Sequence, residues 1–297
     1  MTLFRRTARK EGRDRFPGYS VRRLVHSGDK SFVFEATKLA GAPVAIKLYT
    51  RSYDRAAAGI ERKYGIQSEA QVGMLLNPAS AEGSYIFPIV ATIGEGKEYG
   101  GRSGARYIVQ EFVQGVNLKH LIACSDPTVE ARTGSLVLQM CRALRAVHKK
   151  GLVFRDVCSD NMIVRPDGTL KLIDLGFAAP AGLAFAERSG TPSYMSPEQI
   201  RGEPLGFETD IYSLGVVAYE LLAARLPFVS SIPGSDDPST RRRRAEVMRM
   251  HLSAPVPPLP AEPWERARAI CEALPRCLAK NRRDRFYTID ELIAALV

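Results

Sequence analysis

Asp156 and Asn161 lie five residues apart, and Asp174 follows Asn161 after thirteen more. The first two fall in a polar stretch between short apolar runs, and Asp174 closes the next run. An amide and a carboxylate set together offer hard oxygen ligands. Magnesium or manganese accepts such ligands while keeping water and phosphate in its shell. Asp156 is then left to accept a proton from a hydroxyl. Lys47 adds the opposite charge at the end of Val44–Lys47, an otherwise apolar run, where an ammonium needs an anion to compensate it. Nucleotide phosphates and a helix carboxylate both meet that need. Glu69 is the better carboxylate because it precedes a regular apolar stretch (Val72, Leu76), with Glu61 as the second choice. These five residues, in this order, form a set suited to phosphoryl transfer.

The elements around them follow from apolar periodicity. Tyr19–Val25, Ser31–Lys38 and Val44–Tyr49 alternate as strands of a meander, with a tight turn around Gly28 and Asp29. Residues 54–76 are expected to form one main helix, interrupted near Gly65. Strands near Ile86–Ile93 and Arg106–Phe112 bring the total to five. From Gly115 the pattern becomes mostly helical, with Gly134–Lys150 amphipathic and stopped by Gly151. Short strands are expected at Leu152–Phe154, Met162–Val164 and Leu170–Ile173, and helices at 210–222, 241–252, 264–278 and 288–296. The last helix opens on a capping-box pattern, Thr288 with Glu291.

With those motifs in order, the chain resembles the eukaryotic-like (Hanks-type) Ser/Thr protein kinases, most closely their bacterial branch. The resemblance covers residues 17–297. It rests on Lys47 of Val44-Ala-Ile-Lys47, on Arg155-Asp156 through Asn161, on Asp174-Leu-Gly176, and on Ser196-Pro-Glu198. Gly190–Glu198 is similar to the family's loop for a Ser/Thr substrate, and Asp210–Gly215 to its buried helix start. Arg285 stands where the family pairs an arginine with Glu198. The resemblance implies an α+β, bilobal kinase fold: a five-stranded antiparallel N-lobe with one main helix, and a mostly helical C-lobe. It divides the chain into a basic tail (1–16), an N-lobe (17–113) and a C-lobe (114–297). It further implies ATP as phosphate donor with Mg²⁺ or Mn²⁺ held by Asn161 and Asp174, and a protein substrate whose hydroxyl Asp156 orients. Gln110 would be the gatekeeper, Glu111 and Val113 the backbone that meets adenine, and Val33, Ala45 and Ile163 the residues that sandwich it.

The chain departs from the family in its glycine loop, at Phe154, where the family carries a histidine in a mainly structural position, and at Cys158. Aligning Val33 with the valine after the glycine loop puts His26, Gly28 and Ser31 at the three glycine positions, so only Gly28 remains. Cys158 stands where these kinases carry a lysine facing the transferred phosphate. These departures leave a second reading open, a pseudokinase or nucleotide-binding scaffold with weak or no transfer. Ser189 is the expected phosphosite of the segment 174–198, with Arg155 available to pair a phosphate there.

Composition excludes other classes. The chain has 297 residues, 45% of them hydrophobic, and no apolar run approaches the ~18 residues that a membrane span requires. Five scattered cysteines without a C-x₂-C pair suit free thiols in a reducing, cytoplasmic setting. The net charge of +10 concentrates in residues 1–16 and in Arg241–Arg244. These runs lack aromatic interleaving, so no nucleic acid is expected; an acidic docking partner at Arg241–Arg244 is.

Overall fold

The computed structural model describes residues 16–38, 41–76, 87–97, 103–186, 189–232, 241–260 and 264–297. The chain divides into two compact units, Met1–Gln114 and Gly115–Val297. The first is built on a five-stranded antiparallel sheet: β1 (Tyr19–Ser27), β2 (Ser31–Lys38), β3 (Pro43–Tyr49), β4 (Val90–Lys97) and β5 (Ser103–Glu111), in the order β1-β2-β3-β5-β4. Alternation along β3 sorts its side chains. Ile46 and Leu48 turn into a cluster with Phe34, Tyr107 and Val109, while Ala45, Lys47 and Tyr49 fall on the opposite face. Phe16, assigned to the tail from sequence, belongs to that cluster; its ring meets Tyr107 edge-on with centroids 5.0 Å apart. The rest of the expected tail lies outside the described residues.

Among the described residues of this unit the expected helix, interrupted near Gly65, forms as two. The first, α1 (Arg51–Tyr64), is capped by Thr50 and ends at Gly65, which adopts a left-handed φ of 64°. That geometry costs glycine nothing, and it returns the Gly65 N–H to the Glu61 carbonyl. The chain restarts at Ser68, whose amide bonds the Gln71 side chain at 2.8 Å, and runs into α2 (Glu69–Leu76). Ala70 of α2 packs with Tyr49 and Ile108 of the sheet.

The second unit is helical around a buried spine. Its helices are α3 (Leu118–Ala123), α4 (Pro127–His148), α5 (Pro197–Arg201), α6 (Phe207–Ala223), α7 (Arg241–Ser253), α8 (Trp264–Cys277) and α9 (Ile289–Leu296). Every residue of α6 from Thr209 to Leu222 is buried, and α4, α8 and α9 pack around it. Such a position suits a helix that is mostly apolar on every side, and its buried Asp210 and Glu220 carboxylates are both hydrogen-bonded. Gly215 permits the close approach, since a Cβ there would lie 2.8 Å from that of Cys277. Among the described residues five short strands complete the unit: β6 (Val116–Asn117), β7 (Leu152–Val153), β8 (Met162–Val164), β9 (Leu170–Leu172) and β10 (Ala179–Pro180). They form a β6-β8-β9 sheet and a β7-β10 pair. Half of the expected capping box at α9 forms: Thr288 accepts the Glu291 amide, but the Glu291 carboxylate takes the amide of Tyr287 instead of that of Thr288.

Candidate active site

In the first unit, Lys47 is 7% exposed and its ammonium bonds both oxygens of Glu69, at 2.8 and 2.9 Å. Tyr49, two residues on and therefore on the same face of β3, donates its hydroxyl to Glu69 at 2.6 Å. That third contact was missed from sequence, although the spacing of two carried the signal. Glu61, the second choice, lies 3.7 Å from Arg106. Ala45 pairs with Gln110 and Val44 with Glu111, so β3 and β5 set these residues in register. The Glu111 amide donates to the Ile89 carbonyl at 2.8 Å. Val113 is buried, and Val33 lies half-buried on β2 opposite Lys47. Gly28 closes its turn by donating to the Ser31 carbonyl at 3.1 Å. The Thr50 hydroxyl ties the same turn down by donating to the Asp29 carbonyl at 2.9 Å.

In the second unit, the loop between β7 and β8 is fixed from below by Asp210, the fourth residue of α6. Its carboxylate accepts the amides of Phe154 and Arg155 at 2.7 and 2.9 Å and a His148 ring nitrogen at 2.8 Å. The Gln199 side chain holds the Arg155 carbonyl at 2.8 Å. These contacts sustain a left-handed φ of 70° at Arg155, a conformation that non-glycine residues adopt only when their surroundings impose it. The Asp156 carboxylate is aimed as a consequence. The Asn161 side chain bonds its Oδ2 at 3.0 Å, while Thr191 donates both amide and hydroxyl to its Oδ1 at 2.8 Å. Gly190, at φ 123°, lets that segment close in; a Cβ there would sit 3.1 Å from the Arg155 carbonyl. Thr191 was not singled out from sequence as a partner of Asp156, because the contact spans 35 residues.

Asn161 and Asp174 are linked through the backbone, the Ile173 amide donating to the Asn161 carbonyl at 2.8 Å. Asn161 turns its amide nitrogen to the carbonyl and carboxylate of Asp156, and its side-chain oxygen is the atom suited to a cation. Asp174 holds a left-handed φ of 64°, the second such residue in this unit tied to the expected chemistry. The donor set fits a hard divalent ion that completes its shell with phosphate and water. Among the described residues no group of three His, Cys, Asp or Glu side chains could make a full protein cage. Ile163 lies half-buried on β8.

Cys158 is 1% exposed, with the Thr191 hydroxyl 3.7 Å from its sulfur. Burial first, and then the Asp156 charge, push this thiol well above its ordinary range. A protonated buried thiol is a poor nucleophile. In the native protein at pH 8, iodoacetamide should therefore label the exposed Cys124 at least about tenfold faster than Cys158. Peptide mass analysis of a time course checks this, and equal rates would show an ionised, accessible Cys158.

The family's expected ion pair forms deep in this unit. Arg285 bonds both oxygens of Glu198, at 2.7 and 2.9 Å. Together, a buried Lys–Glu pair on a five-stranded sheet and a doubly held aspartate followed by Asn161 and Asp174 match the residue set of a protein kinase domain. A family model described as the protein kinase domain matches residues 19–295, and the chain belongs to that family. It is 31% identical over 222 residues to the serine/threonine-protein kinase PknB of Mycolicibacterium smegmatis, covering 70% of this chain and 33% of that protein. It is 32% identical over 198 residues to PknB of Mycobacterium tuberculosis, covering 64% of this chain and 30% of that protein. A probable serine/threonine-protein kinase of Corynebacterium efficiens is 31% identical over 223 residues, covering 72% and 32%. The chain thus spans about a third of the length of the curated relatives it matches.

Proposed function

We propose that this chain transfers the γ-phosphate of ATP to serine or threonine hydroxyls of protein substrates. The observation that carries the reading is the Asp156 carboxylate, held at both oxygens by Asn161 and Thr191. The acceptor oxygen attacks the γ-phosphorus, its proton passes to Asp156, and the bond to the β–γ bridging oxygen breaks to release ADP. Lys47, fixed by Glu69 and Tyr49, meets the nucleotide phosphates with a cation that needs no further ordering. Asn161 and Asp174 would hold a divalent cation, Mg²⁺ or Mn²⁺, which neutralises charge on the transferring phosphate. Gly28, Val33, Ala45, Gln110, Glu111, Val113 and Ile163 would receive the rest of the nucleotide. Cys158 cannot supply the cation its relatives aim at the phosphate, so turnover is expected to be slow for the family. Transfer of label from γ-labelled ATP to a protein substrate tests the reading. Thermal stabilisation by ATP without transfer would replace it with a nucleotide-binding scaffold.

Four arginines open α7, and Arg241, Arg242 and Arg244 are exposed. Cations in a first helical turn face the positive end of the helix dipole, an arrangement that an acidic partner relieves. Docking of an acidic protein substrate there is proposed on that ground. Reversing Arg241–Arg244 to glutamate should raise the substrate KM about tenfold and leave ATPase activity unchanged. An unchanged substrate KM would rule the surface out. A cytoplasmic location is also proposed, supported by five free cysteines, four of them buried. No described helix is long and apolar enough to cross a membrane.

A further inference from the structure

From the sequence, Arg155 is available to pair with a phosphate on Ser189. In the fold its guanidinium carbon lies 3.5 Å from the centroid of the Phe185 ring. Its Nη1 donates to the Phe177 carbonyl at 3.2 Å. Both stacked side chains are only 5% exposed. A guanidinium over an aromatic face is held by the ring's quadrupole, and the attraction grows when water is excluded. The backbone bearing Phe185 is itself pinned. Strand β10 pairs with β7, which leads into the catalytic loop. Gly182 donates to the Leu205 carbonyl at 2.7 Å, and Leu205 donates back to Leu183 at 3.0 Å.

An activating phosphate orders such a segment by giving an arginine beside the catalytic aspartate an anionic partner. Here an aromatic ring, part of the chain at all times, engages that arginine and joins the segment to it. We propose that Phe185 is a positioning residue: by stacking on Arg155 it holds the loop that aims Asp156, so transfer does not depend on phosphorylation of the segment. The proposal rests on the kinase reading above. It adds that the active arrangement is built in rather than switched on.

The test uses the full chain, treated with phosphatase, with initial rates of transfer measured before label accumulates on the enzyme. Ser189→Ala should keep wild-type kcat. Phe185→Leu, which keeps apolar bulk and removes the aromatic face, should lower kcat about tenfold with KM for ATP within about twofold. Phe185→Trp should stay within about threefold of wild type. Adding Phe185→Leu to Arg155→Met should cost nothing beyond Arg155→Met alone, because the two side chains act as one unit. The proposal is overturned if Ser189→Ala abolishes transfer, if Phe185→Leu matches wild type, or if the two losses multiply. The Ser189 result does not depend on how the Phe185 variants fold. If the wild type transfers no label, the kinase reading fails as well. Wild-type transfer with an unaffected Phe185→Leu would overturn this proposal alone.

Discussion

Asp156→Asn should lower kcat by about 10²–10⁴-fold while leaving KM for ATP within a few-fold, the range expected when a positioned proton acceptor is removed. The substitution is nearly isosteric, so the cavity and the loop backbone stay filled. Its effect is on proton acceptance and on hydrogen-bond polarity. In the native site the Asp156 carboxylate only accepts: from Asn161 on one oxygen and twice from Thr191 on the other. An asparagine has one accepting oxygen. If that oxygen faces Thr191, its NH₂ meets the NH₂ of Asn161, and two donors then oppose each other. The side chain would also have no carboxylate with which to take up the acceptor hydroxyl's proton. Stability should change far less than rate, since Asp210 and Gln199 hold the loop through its backbone. The measurement is label transfer beside a thermal melt of the same preparation. Undiminished transfer in a folded variant would remove Asp156 from the chemistry.

Arg285→Met should be the most damaging single change to stability, at about 3–5 kcal/mol, the usual result of stranding one charge of a buried pair. For a chain of 297 residues that corresponds to a fall in Tm of about 5–8 °C. The guanidinium is fully buried and the Glu198 carboxylate nearly so. Thr209 gives Glu198 a further hydrogen bond at 2.9 Å, and Arg285 also donates to the Glu208 carbonyl at 3.0 Å. Removing Arg285 therefore leaves an anion in the interior and loosens the joint between α5 and α6. The double variant Glu198→Gln/Arg285→Met should recover part of the loss, because no lone charge remains; an equal or larger loss would refute this account.

The same pair predicts a pH dependence. Burial by itself raises the Glu198 pKa, but the Arg285 hydrogen bonds and charge outweigh it and hold the carboxyl below its ordinary 4.5. A depressed folded pKa contributes stability that is complete above the unfolded value. That contribution shrinks as pH falls below about 4.5 toward the folded pKa, because the unfolded chain binds the proton first. Wild type should therefore lose stability over this window more steeply than Glu198→Gln. Parallel curves would count against the pair as the cause.

Much of this protein could be read from its chain. Strand alternation in β2 and β3, the five-residue spacing of Asp156 and Asn161, and the mostly apolar run of α6 are local patterns. Each is decided by residues within a few positions of one another, so period and spacing suffice to identify them. Glu69 was separable from Glu61 on the same basis. The break at Gly65 was legible as a weakness, but not as a division into two helices; that depended on the left-handed turn and the Ser68–Gln71 restart.

What the tertiary structure decided are contacts whose partners are far apart in sequence. Thr191 on Asp156, Tyr49 on Glu69, His148 on Asp210 and Phe185 on Arg155 span 20 to 62 residues. No periodicity links such pairs, because packing brings them together after each local element has formed. Arg155 is the clearest case. Its sequence position announced an arginine beside Asp156, but only the fold decided that an aromatic ring stacks on it. The physical reason is that a buried guanidinium takes whichever polarisable or anionic partner the surrounding backbone delivers, and here β10 pairing with β7 delivers Phe185.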